Sequence, residues 1–191
     1  RINSFSQFIN FFSPIRQYSF KPVSTEVYYF FIHLFKNNIF IAHLLGFIVF
    51  FVGVYYLFKI ILHLSKNKLL SCLTTGFFAI NFTHVFQLYY LGTFQEVFLF
   101  TFLAICFYKF LIGKNIQALV FFILALLSKE TALGGIFIIA LIFFIYPVKK
   151  LVSNGVYLKR HWKLFIPFVL MSLIYIWVRL EILGALGDHA L

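Results

Sequence analysis

The sequence predicts an all-α, polytopic integral membrane protein of about six transmembrane helices, preceded by an interfacial helix. Three observations predict it. Hydrophobic residues make up 63% of the chain and charged residues 11%, with a mean hydropathy of +0.99, whereas about a quarter of an ordinary soluble domain is charged. Apolar runs alternate with short loops that hold most of the Lys and Arg. Lys129 and Glu130 stand together between two apolar segments, and an ionisable residue at membrane depth points to a functional site. A net charge of +11 in a soluble chain would indicate nucleic acid. Here the basic residues lie between apolar spans and report topology, so no nucleic-acid partner is expected.

Residues 1–38 are aromatic but interrupted by Pro14, Arg16, Lys21, Pro22 and Lys36, and they read as an outer-face loop. Within them Val27, Phe30, Phe31 and Leu34 fall at helical spacing, which predicts a helix over Val23 to Phe35 lying in the membrane interface, with Pro22 at its start and Tyr28, Tyr29 and His33 towards the headgroups. Residues 39–191 read as a transmembrane helical domain, incomplete at both ends because the chain begins with Arg1 rather than Met and stops without a terminal structure. Its predicted spans are Ile39 to Leu62, Leu69 to about Phe82, Phe94 to Leu111, Ile116 to Leu127, Thr131 to Tyr146 and Leu164 to Leu180. A polar, aromatic loop is expected from His84 to Thr93.

Length places a turn at Ser128. A single helix from Ile116 to Tyr146 would be roughly 46 Å long, against a hydrocarbon core of about 30 Å. Ser128 suits the N-cap of the following helix, and Glu130 suits the positive end of its dipole. Counting the 16 Lys and Arg residues over alternating loops puts ten on one side: Lys59, Lys66, Lys68, Lys109, Lys114, Lys149, Lys150, Lys159, Arg160 and Lys163. That side is cytoplasmic by the positive-inside rule. All five acids, Glu26, Glu96, Glu130, Glu181 and Asp188, then share the outer side, which is where chemistry or recognition is expected.

Cys72 and Cys106 lie inside apolar runs and read as buried small hydrophobes. The six histidines show no metal-ligand spacing, so no protein-built metal site is expected. No Gly-rich phosphate loop is present, which argues against a nucleotide donor.

Four segments resemble one family. Leu124-Ala125-Leu126-Leu127-Ser128-Lys129-Glu130-Thr131-Ala132 resembles the Ser-Lys-Glu-Thr segment of polytopic glycosyltransferases of the GT-C type, the group of protein O-mannosyltransferases and their bacterial relatives. Phe20-Lys21-Pro22-Val23-Ser24 resembles their Tyr-Arg-Pro-Leu/Val-Ser motif, with Phe20 and Lys21 replacing Tyr and Arg. His43-Leu44-Leu45-Gly46 resembles their His-Leu-x-Asn segment, with Gly46 in place of Asn. Phe78-Ala79-Ile80-Asn81-Phe82-Thr83-His84-Val85 resembles their Phe-Ala-Leu-His-Pro-x-His-x-Glu stretch, keeping only His84 of the polar set and carrying Phe86 where the Glu would be. Glu96 lies where the family often has an acid.

The resemblance implies inverting transfer of a sugar from a polyprenyl-phosphate donor to a protein or glycan acceptor, on the extracytoplasmic side of the inner membrane or endoplasmic reticulum. It calls for no cofactor, and the partners it implies are the lipid-linked donor, the acceptor and membrane lipids. Lys129, Arg179 and Lys21 would bind the donor phosphate; Glu130, Glu96, Gln95, His84 and Tyr90 would line the substrate pocket. The family's general base is an Asp in a loop after its first helix, and no aspartate precedes Asp188, so the catalytic residue is expected upstream of Arg1. Blander readings stand beside these. Lys129 and Glu130 also fit a surface pair, Gly134 and Gly135 close helix packing as well as a groove, Tyr89 and Tyr90 interfacial anchors, and Arg179 and Glu181 snorkelling side chains. As whole-protein alternatives, a transporter or flippase of lipid-linked sugars, or a non-catalytic membrane scaffold, fits the same composition.

Overall fold

The computed structural model describes residues 21–145 and 162–183. Expectations for Phe20, for the basic stretch between Pro147 and His161, and for Asp188 fall outside these residues. Among the described residues the chain is helical, with no strand. A π-helical turn at Pro22–Val27 leads into α1 (Tyr28–Leu34). Then follow α2 (Ile39–Ser65), α3 (Lys68–Ala79), α4 (Thr83–Tyr89) and α5 (Phe94–Leu111). The second half holds α6 (Asn115–Leu126), a 3₁₀ turn at Glu130–Gly134, α7 (Gly135–Ile145) and α8 (Ile166–Leu183).

Two segments, Ile39–Ser65 and Leu91–Leu111, are long and apolar enough to cross a membrane. The pair α3 and α4 makes a third only if its 59° bend is accepted as a broken span. Among the described residues six full-length spans are not shown: α6 and the described part of α7 have 12 and 11 residues, each under about 20 Å at 1.5 Å per residue.

Polar residues set the helix ends. Asn38 Oδ1 accepts from the backbone N–H of Phe40 at 3.0 Å and of Ile41 at 3.3 Å, capping α2. At the far end, Lys66 takes the left-handed conformation (φ 55°) and Asn67 immediately caps α3 through Leu70 N–H at 3.1 Å. The basic loop thus shrinks to two residues, and α2 runs on to Ser65.

The central helix is α5, which belongs to both apolar cores. One core joins α1, α2 and α5 through Tyr28, Ile32, Ala42, Phe50, Phe94 and Val97; the other joins α5 to α6, α7 and α8 around Phe110, Phe122, Ile139 and Phe168. Lipid tails are as apolar as leucine, so close approach over small residues and interhelical hydrogen bonds must hold such helices together. Both are present. Thr101 Oγ1–H donates to Val49 C=O of α2 at 2.8 Å, and Gly46 and Gly53 of α2 lie where a Cβ would meet Phe94 at 2.6 Å and Phe100 at 2.5 Å. Gly53→Leu is expected to force α2 off α5 and destabilise the protein by about 1–3 kcal/mol, read as a lowered melting temperature in detergent.

Four local expectations are corrected. Cys72 is exposed on α3 rather than buried, while Cys106 is buried as expected. Tyr28 does not face the headgroups: it is buried, and its hydroxyl donates to Ala42 C=O at 3.1 Å. Burial raises its phenol pKa, with Tyr29 adding to the shift. The expected loop after Phe82 begins as a helix, α4, because Asn81 Oδ1 receives Thr83 N–H at 3.0 Å. Ser128 does not cap the following helix; its hydroxyl bonds back to Leu124 C=O of α6 at 2.8 Å, and Lys129 occupies the cap position.

Candidate functional site

The site forms where two sequence segments about a hundred residues apart are stitched together. Val23 N–H donates to Leu127 C=O at 3.1 Å, and Ser24 Oγ–H donates to Ser128 C=O at 2.6 Å, with Ser24 and Ser128 both buried. The Lys21-Pro22-Val23-Ser24 turn is thereby laid against the Leu127-Ser128-Lys129-Glu130 turn. Removing the hydroxyl in Ser24→Ala leaves a buried carbonyl short of its donor, at a cost of about 1–3 kcal/mol. The expected result is a lower melting temperature and a displaced Lys21, with Ser24→Thr restoring most of the loss.

The backbone conformation of Lys129 decides where the charges go. It is extended (φ −162°, ψ 144°), so Lys129 and Glu130 point to different neighbours rather than to each other. Lys129 Nζ donates to Glu96 Oε1 in the first turn of α5. Glu130 Oε2 receives Arg179 Nη1 at 3.3 Å and lies 3.8 Å from Lys21 Nζ. Arg179 Nη1 also donates to the Tyr175 hydroxyl at 2.9 Å. Arg179 is 1% exposed and Lys21 5%, so the snorkelling reading of Arg179 is replaced by a buried cation. Such charges persist in an apolar interior only when paired and hydrogen-bonded. Lys21, Lys129 and Arg179 are thus gathered with the carboxylates of Glu96 and Glu130.

Beside this cluster runs a groove of about 340 Å³ between α2, α3, α4 and α5. Its polar end carries Glu96, His84 and Gln87; its wall continues along Phe100 and Leu103 to Phe107, Leu57 and Ile60. From Glu96 to Phe107 is eleven residues of α5, or roughly 16 Å of apolar wall. His84 Nδ1 is 3.2 Å from Gln87 Oε1, and its ring packs against Phe78 and Phe50, with centroids 4.5 and 5.2 Å away.

The expected residues thus separate into groups. The buried Lys21 and Arg179 form one cluster with the half-buried Glu130, Lys129 and Glu96 make a second beside it, and His84 joins Glu96 along the groove. Tyr90 goes elsewhere: it is exposed and stacks on Phe86 with centroids 5.8 Å apart. It does not line the groove with His84. Gln95 is half-buried next to Glu96 but lines neither the groove nor the charge cluster. Gly135 approaches Leu103 of α5, where a Cβ would stand 2.8 Å from the leucine, so it serves packing; Gly134 faces open space.

Tyr175 and Gln87 were not among the expected site residues. Tyr175 had a signal in the sequence, since it lies four residues before Arg179 and so on the same helix face. His43 is tied to the other side of the groove's helices, its Nδ1 3.0 Å from Leu88 C=O. Among the described residues, no three His, Cys, Asp or Glu side chains gather as metal ligands. Comparison of the chain with family models, with curated proteins and with solved structures finds no match.

Proposed function

We propose that the protein is a membrane glycosyltransferase that takes its sugar from a polyprenyl-phosphate donor and works at the extracytoplasmic face. The observation that carries this reading is one juxtaposition: a long apolar groove ends at Glu96, whose partner Lys129 adjoins Glu130, itself paired with the buried Lys21 and Arg179. A ligand suited to both has an isoprenoid tail and an anionic head.

In this reading α2, α3 and α5 to α8 make six passages through the membrane. The ends bearing Lys59, Lys66, Lys68, Lys109 and Lys114 face the cytoplasm. The site end, with the N-termini of α2 and α5 and the turn after α6, faces outward.

The chemistry asked of these residues is electrostatic. As the bond from the anomeric carbon to the phosphate oxygen breaks, charge grows on the departing polyprenyl phosphate, and Lys129, Arg179 and Lys21 would stabilise it. The acceptor hydroxyl attacks that carbon and gives its proton to a carboxylate base. Glu96 and Glu130 hold sugar or acceptor hydroxyls.

The test is transfer by the complete protein in lipid nanodiscs, supplied with a polyprenyl-phosphate-linked sugar. Leu57→Trp, which fills the apolar end of the groove without touching a charge, is expected to raise the donor KM at least about tenfold while the melting temperature holds. Donor moved across the bilayer without transfer would instead mark a flippase. Neither transfer nor translocation would leave a scaffold.

A further inference from the structure

The short helix α4 is amphipathic in the reverse sense to a helix of a soluble protein. Its inward positions are His84, Gln87 and Leu88, all partly buried, and the first two line the groove. Its outward positions, counting one residue beyond each end, are Phe82, Val85, Phe86, Tyr89 and Tyr90, spaced i, i+3, i+4, i+7, i+8. They are exposed by 83, 53, 65, 79 and 58% respectively. A soluble helix turns its apolar stripe to the core and its polar stripe to water. Here whatever covers the outer stripe must be apolar.

Three features identify that cover as lipid. The exposed face of α3, stepping through Leu69, Leu73, Phe77 and then Ile80, runs continuously into Phe82 and the α4 stripe. No Asp, Glu, Lys or Arg occurs between Lys68 and Glu96, so the surface offers no ionic group to a protein partner. The stripe also ends in two tyrosines, the residue type that settles at the boundary of hydrocarbon and headgroups. The 59° bend between α3 and α4 then turns the stripe away from the direction of the span.

We propose that α4 lies in the plane of the membrane, its aromatic stripe seated in the outer lipid interface and its His84–Gln87 side forming the groove's wall. The bilayer itself is the partner of this surface. One side of the groove is therefore a lipid-supported segment rather than protein packed on protein, whatever substrate the groove takes.

The test is spin-label depth measurement on the complete protein in vesicles of phosphatidylcholine and phosphatidylglycerol. The exposed Cys72 is changed to Ser, the buried Cys106 is left, and single labels are placed through Phe82→Cys and Tyr89→Cys. For an in-plane helix, oxygen outcompetes an aqueous nickel chelate at both sites, and the two depths agree. A helix continuing across the bilayer would separate them by roughly 10 Å over seven residues, which overturns the proposal. So would a higher collision rate with the chelate, meaning water, or exclusion of both quenchers, meaning a protein cover. If either variant fails to fold, Val85→Cys and Phe86→Cys carry the same reading of polarity. Phe86→Trp then adds quenching by lipids brominated near the headgroup against lipids brominated near the chain end. Stronger quenching from the deep position overturns the interfacial placement.

Discussion

Replacing Arg179 by alanine is expected to destabilise the protein by about 3–5 kcal/mol and to abolish sugar transfer. The guanidinium is almost fully buried, and it bonds both Glu130 and the Tyr175 hydroxyl. Its removal leaves Glu130 with Lys21 at 3.8 Å, too far for a strong hydrogen bond, in a setting where a half-paired carboxylate is costly. Arg179→Lys keeps the charge but not the fork that reaches two partners, so partial recovery of stability with poor transfer is expected. Thermal unfolding and transfer rate, measured on the same preparations, separate the two effects. A variant Arg179→Ala that melts like the parent would show that the cluster does not hold α8 against the turn after α6.

Lys129→Ala is expected to act in the opposite proportion. Lys129 and Glu96 are partly exposed, at 16 and 32% of their side chains, and a pair of that kind adds about 1 kcal/mol or less to stability. The lysine's contribution in the proposed reaction is to the departing phosphate, and deleting one such stabilising group typically costs about 10²–10³ in kcat. Transfer should therefore fall by that factor while melting shifts only slightly. The exchanged pair, Lys129→Glu with Glu96→Lys, rebuilds an ion pair with its poles reversed. It is expected to keep the fold and remain inactive. Restored transfer in the exchanged pair would mean that only the pairing matters, and that Lys129 does not meet the donor.

How much of this was legible in the sequence depended on the kind of signal. Continuous apolar runs marked α2 and α5 almost to the residue, because a helix apolar on every side needs no partner to define it. The break near Ser128 followed from length alone. The cap did not, because a serine hydroxyl serves equally well back to its own helix, and Leu124 C=O was nearer at hand. Helix α4 was read as a loop since its polar residues, Thr83, His84 and Gln87, mimic an exit from the membrane. Only the tertiary structure reveals that two of them turn into a groove.

The site residues divide in the same way. Lys129 and Glu130 stood out as charges in an apolar setting, and their separate partners follow from the extended backbone at Lys129 rather than from helix geometry. Their partners, Glu96 on α5 and Arg179 on α8, lie 33 and 49 positions away, and no local pattern encodes that meeting. The Ser24 bond to Ser128 C=O spans 104 positions. It joins two of the four segments that carry the family resemblance, whose meeting the resemblance implied by putting Lys21 and Lys129 on one phosphate and which no local pattern encodes.

The most direct test of a lipid-phosphate site is equilibrium binding of polyprenyl phosphate, without a sugar, to the complete protein in nanodiscs. Saturable binding is expected, weakened at least about tenfold by Lys129→Ala at the charged end and by Leu57→Trp at the apolar end, with the folded state intact in both. Each change removes one half of what an amphipathic ligand needs, and tenfold corresponds to about 1.4 kcal/mol. Binding that is absent in the parent protein, or equally strong in all three, would contradict a donor site built from this groove and this cluster.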